Sequence, residues 1–290
     1  MGKEEFILIA SQLRAIIDEC ICQEDLYWGK AEELLDEELL IASYALSYNC
    51  RATTDSCAFL AERARIYDAS ILRRTIIQGT LKFIYLLTAP NYEEERIRVN
   101  EYLNLLPRKQ FASNEQPVKT SFNISRYGDT DIKAFVQKHF VDYINNHKTK
   151  QNEGSHLRMI HKMWEYLNLS KKVATECEEW RKIQHSMDEK YSTSNDYVHC
   201  NATGCFETMI AILRESNDED FVEYQHYCFP IDIMLDMCSL SFVRAEILAK
   251  RIKIDSKELN CIIKKNKSFL EMIEKMRVTT CREIIRKLNI

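Results

Sequence analysis

The sequence predicts an all-α protein, an antiparallel bundle of long helices with a basic C-terminal helical extension. Three observations carry this expectation. The chain of 290 residues holds only six glycines and four prolines, roughly a quarter of the usual share, whereas sheets and loop-rich folds depend on such turn residues. The prolines (Pro90, Pro107, Pro117 and Pro230) stand far apart and leave long uninterrupted stretches. Within those stretches apolar side chains recur at the spacing of one helix face.

The elements follow in order. Residues 4–22 place apolar groups at helical spacing and predict a first helix; residues 31–49 predict a second, with acids crowding its first turn where the helix dipole favours them. Asp55 is positioned to cap a third helix running through Leu87 and stopping before Pro90. Residues 92–106 predict another, ended at Pro107. The polar stretch 107–130, with two prolines, predicts a loop excursion. Helices are expected again over 131–146, 156–168, 171–188, 195–215 and 219–251, the last with a kink at Pro230. In residues 256–277, Leu259, Ile262, Ile263, Phe269, Met272, Ile273 and Met276 form an apolar stripe. The expected organisation is a helical-bundle domain over 1–250 and a basic helical segment over 251–290, packed on the bundle or on a partner. That stripe also suits a two-fold pair, so a homodimer is expected.

Composition excludes several function classes. No stretch approaches the 18 apolar residues of a membrane span, and the N-terminal stretch carries acids and no cleavage-site pattern, so a soluble, cytoplasmic protein without membrane contact is expected. Eleven cysteines are present without a CxxC spacing, and no HExxH or HxxxH occurs. They read as reduced, packed thiols, and neither a metal nor another cofactor is expected. Six scattered glycines build no P-loop, GxGxxG or GxSxG, which excludes nucleotide hydrolysis, dinucleotide redox and α/β-hydrolase chemistry. Charge is distributed unevenly. Residues 1–106 carry 11 Lys/Arg against 18 Asp/Glu, and residues 250–290 carry 12 against 5. A basic tail of that kind suits a phosphate backbone, a solvated helix face, or docking on the acidic half.

Two clusters interrupt apolar helices with chemistry-bearing residues. Arg73 and Arg74 lie among Ile71, Ile77, Leu81 and Ile84, so one arginine is expected to point inward and the other to solvent. Arg74 and Gln78, four apart, share a face. A buried guanidinium ties helices together through a carboxylate, or offers its planar fork to a phosphate. The second cluster is Tyr191, Ser194, Asn195, Asp196 and His199. Ser194 or Asn195 is placed to cap the helix carrying His199, and in a helix from about 195 Asn195 and His199 share a face, as do Asp196 and His199. A histidine there is either a packed core residue or a general acid–base group.

The stretch DASILRRTIIQGTLKFIYLL (68–87), followed by EEERIRVNEYLNLLP (93–107) and later by YSTSNDYVHCN (191–201), resembles a bacterial and archaeal all-helical domain family of unknown function. Gln78 stands where that family tends to carry Glu. More distantly, the chain resembles the HEPN superfamily of helical bundles, many of which are metal-independent ribonucleases of defence and toxin systems. Their Arg, four to six residues, then His is not reproduced here; Ser194 takes the arginine position ahead of His199. The resemblance implies a protein that acts on or senses RNA, with His199 moving the proton, Arg74 stabilising the phosphorane, Asn195 completing the catalytic set, and Gln78, Tyr191, Ser194 and Asp196 in support. Its partners would be RNA and a protein partner or antitoxin. The competing reading is a non-catalytic helical interaction module.

Overall fold

A computed structural model describes residues 3–106, 153–198 and 227–287. The loop expected over 107–130 and the helices expected over 131–146 and most of 195–215 lie outside these residues, as does His199. Among the described residues the protein is all-α, without strands. Its helices are α1 (Lys3–Ala31), α2 (Glu37–Ala61), α3 (Ile66–Leu87), α4 (Tyr92–Asn100), α5 (Glu153–Met163), α6 (Tyr166–Glu176), α7 (Glu178–Val198), α8 (Phe229–Arg251) and α9 (Lys257–Lys287). A π-helical turn over Glu101–Leu105 continues α4.

Two helices are apolar on nearly every side and organise the rest. α3 buries 13 of its 22 residues and packs on α2, α7, α8, α6 and α4. α8 buries 15 of 23 and lies against α1, α3 and α2. A helix that is hydrophobic all round belongs in a core, and Ile76, Ile77, Leu81, Phe83, Ile84 and Leu86 of α3 are fully enclosed. Each such side chain contributes about 1.5–3 kcal/mol by leaving water. Amphipathic α7 lies on α3 and α6, and α9 lies on α1 and α8.

Several boundaries differ from the sequence expectation. α1 runs on to Ala31, because Glu24, Tyr27 and Trp28 beyond its expected end are buried. The expected third helix does not begin at Asp55, which sits inside α2. The chain breaks instead at residues 62–65, where Ala64 takes a left-handed φ of 54°. The expected helix over 156–168 breaks at Trp164 and Glu165, between α5 and α6. Pro230 occupies the first turn of α8, where its missing N–H costs nothing, and residues 219–226 of the helix expected over 219–251 lie outside the described residues. Asn91 caps α4, its side-chain oxygen accepting from the Glu94 N–H at 2.9 Å.

The apolar stripe of α9 is used within the chain. Leu259, Ile262 and Ile273 are buried, Phe269 and Met276 are partly so, and Met272 stays exposed. The basic helix also meets the acidic half of the molecule, with Lys265 Nζ 3.0 Å from Glu19 of α1. No described helix is long and apolar enough to cross a membrane.

Candidate functional site

Arg73 and Arg74 project from one turn of α3 in different directions. Arg73 is 2% exposed and Arg74 is half-buried. Arg73 donates through Nη1 to Asp236 Oδ2 at 3.2 Å and lies 3.5 Å from Asp232 Oδ2, both on α8. Its Nη2 reaches Ser194 Oγ of α7 at 3.5 Å, and its guanidinium stands over the Phe229 ring at 5.6 Å. Lys190 of α7 pairs with the same two carboxylates, closely with Asp236 and at 3.5 Å with Asp232. Two cations and two anions from three helices thus form one buried cluster. Burial and the neighbouring Asp232 push the Asp236 carboxyl above its ordinary value, while Lys190 and Arg73 pull it back.

Arg74 turns towards α7 as well. Its Nη2 donates to the Tyr191 hydroxyl at 3.0 Å, with the guanidinium 4.8 Å from the ring centroid. Tyr191 in turn stacks on Tyr166, the centroids 3.6 Å apart and the planes 9° from parallel. Burial holds the Tyr166 hydroxyl protonated, with Asp188 adding to the effect.

The sequence-derived residues therefore separate. Arg74, Tyr191 and Ser194 meet between α3 and α7, with Ser194 joined through Arg73 rather than Arg74. Ser194 and Asn195 do not cap a new helix, because α7 continues unbroken to Val198 and Ser194 is buried inside its last turns. The side chains of Asn195 and Asp196 and the whole of His199 lie outside the described residues. Gln78, one turn beyond Arg74, lines a pocket against α2 and makes no hydrogen bond to α7 among the described residues. The residues that sequence reasoning passed over are Lys190, Asp232 and Asp236. Their signal is present in the stretch FPIDIMLDMCSL, where two acids four apart interrupt an apolar helix and so require a buried cation.

Beside this cluster a groove of about 710 Å³ opens between α7, α8 and α9. Lys190 and Asp236 stand at its inner end, and its walls are apolar: Ile183 and Met187 of α7, Phe242 and Val243 of α8, Ile263 and Leu270 of α9. Its charged lining is acidic on balance, with Glu179, Glu246, Glu271 and Glu274 besides Asp236, against Lys182 and Lys190. Lys250 bridges Glu179 and Glu246, and Lys267 lies 3.8 Å from Glu271, so three of these carboxylates also have a lysine at the groove's rim. Among the described residues no group of three His, Cys, Asp or Glu side chains is arranged to hold a metal ion.

The chain matches no protein-family model, no curated protein and no solved structure. Neither the helical family nor the HEPN superfamily gains a neighbour from these comparisons.

Proposed function

We propose that this protein is a non-catalytic interaction module that seats an amphipathic helix of a partner protein in the groove between α7, α8 and α9. The observation that carries the reading is the groove lining, apolar along both walls and edged by carboxylates. Helix-in-groove recognition buries an apolar stripe of the incoming helix and reads its flanking charges. Here the flanks favour Lys and Arg on the partner. The neighbouring cluster supports the same reading, because Arg73 and Lys190 already have Asp232 and Asp236 and would have to release them to hold a phosphate.

The test uses the full chain and two idealised helical peptides of the same apolar periodicity, one of Leu and Lys and one of Leu and Glu. Fluorescence anisotropy should show the Leu–Lys peptide binding at least about tenfold more tightly, equivalent to 1.4 kcal/mol. Phe242→Glu, which places a carboxylate on the apolar wall, should remove that binding. Equal affinity for the two peptides, or binding unchanged in Phe242→Glu, would overturn the reading.

A second reading, RNA cleavage of the HEPN kind, draws on the half-buried Arg74 and its contact with Tyr191, eight residues ahead of His199. In that case purified protein, with its native partner present, cuts single-stranded RNA in the presence of a chelator. His199→Ala would abolish cutting while leaving the circular dichroism unchanged. Identical behaviour of wild type and variant would remove this reading and leave the interaction module.

A further inference from the structure

A second pocket, of about 220 Å³, lies between α2, α3 and the π-helical turn and shares no lining residue with the groove. Leu46, Asn49 and Cys50 of α2 face Gln78 and Lys82 of α3, and Tyr102 closes one side. Gly79 lets the two helices approach here, since a Cβ at that position would lie 2.5 Å from Cys50 Sγ. Lys82 is only partly exposed, and among the described residues it has neither an ion pair nor a hydrogen bond. The residue one turn earlier on its helix is the neutral Gln78, so the i, i+4 position supplies no carboxylate. Among the described residues Gln78 also makes no hydrogen bond. Asn49 accepts from Thr53 Oγ1 at 3.1 Å through its side-chain oxygen, which leaves its NH₂ to donate. Burial holds the Lys82 ammonium below its ordinary pKa, as expected for a cation lacking a counter-charge.

A half-buried cation beside two amides, with apolar surface on the remaining walls, is complementary to a small anion with a short apolar body. We propose that this pocket binds a small monocarboxylate, held by the Lys82 ammonium and the Gln78 and Asn49 amides with its hydrocarbon end against Leu46 and Tyr102. The single positive charge matches a carboxylate better than a phosphate dianion. The volume, about seven water molecules at roughly 30 Å³ each, suits an acid of the size of butyrate.

Butyrate is the probe, with n-butylammonium as the control of opposite charge and inorganic phosphate as the competing anion. Acylation of Lys82 by a limiting amine reagent, followed by peptide mass spectrometry, should fall at least about fivefold at saturating butyrate, since only the unliganded fraction reacts. The exposed Lys250 in the same sample should label unchanged. Butyrate should also raise the melting temperature of wild type, and that shift should vanish in Lys82→Met and shrink in Gln78→Leu. If one variant fails to fold, the protection measurement and the other variant still decide. Protection by n-butylammonium equal to that by butyrate, protection by phosphate without butyrate, or a thermal shift retained in Lys82→Met would overturn the assignment.

Discussion

Arg244 of α8 and Glu24 of α1 are both fully buried and lie 3.3 Å apart. The rest of the arginine fork is satisfied by Thr80 Oγ1 of α3 at 3.1 Å and Ser241 Oγ at 3.2 Å, and Glu24 also accepts from Ser47 of α2. Four helices therefore meet at one ion pair. Removing one partner leaves an uncompensated charge in the core, so Arg244→Met should cost about 3–5 kcal/mol in urea unfolding, and adding Glu24→Leu should recover most of that loss. Recovery that fails would mean the hydroxyls around the pair need the charges as their own partners. Asp236 offers a prediction in pH. Because burial and Asp232 raise its folded value, the native state keeps this proton where the unfolded chain has lost it. Its contribution to stability is thus present at low pH and declines as pH rises from 3.8 through the raised folded value. The stability of wild type minus that of Asp236→Asn should fall across this acid window and then level off. A difference that rises with pH would show that Lys190 and Arg73 outweigh burial. Sequence alone showed that one of the paired arginines of α3 would be buried, because apolar neighbours surround them. Which one, and with which acids, depended on helices about 120 and 160 residues later, and no local pattern carries that information.

Helix existence was legible along α1–α4, since 3.6-residue periodicity survives wherever one face is buried. Helix ends were less so. The α2–α3 break is a Schellman motif: Arg65 N–H bonds Leu60 C=O at 2.9 Å and Ala64 N–H bonds Ala61 C=O at 2.9 Å. α8 ends the same way, with Ile254 N–H on Ala249 C=O at 2.9 Å and Lys253 N–H on Lys250 C=O at 3.1 Å. In both, the left-handed position that usually holds glycine is taken by another residue, Ala64 at φ 54° and Lys253 at φ 56°. With no Gly or Pro to mark it, the α2–α3 corner read as continuous helix. The same geometry makes a stability prediction. A residue with a Cβ in this conformation costs roughly 1–2 kcal/mol, partly offset by the greater freedom glycine has when unfolded. Ala64→Gly and Lys253→Gly should each stabilise the protein by about 0.5–1 kcal/mol, seen as a higher urea midpoint at unchanged m-value. Glycine in the middle of α2, for example at Ala52, should do the opposite.

Across the whole molecule, the acidic N-terminal half and the basic C-terminal end, visible as a charge asymmetry, are joined physically by α9 lying on α1. The cysteines report whether the helices behave as one cooperative unit. Cys20 of α1, Cys50 and Cys57 of α2, Cys177 between α6 and α7, and Cys228 and Cys238 at and in α8 are buried, whereas Cys22 and Cys261 are exposed. Burial pushes the thiols of Cys20 and Cys57 up to about 12 and that of Cys177 to about 11, so at pH 8 they are protonated as well as shielded. Of these eight, only Cys22 and Cys261 should react quickly with iodoacetamide in peptide mapping of the native protein. The buried six can react only through opening, and the way their rates respond to urea measures how much structure opens with each. Since α3 and α8 between them touch α1, α2, α6, α7 and α9, opening any one of these helices exposes core apolar surface of the others. All six rates should therefore rise with one common, large urea slope. Cys177 reacting early with a small slope, while Cys20 and Cys238 stay protected, would show instead that α6 and α7 open independently of the α1–α3 and α8 core.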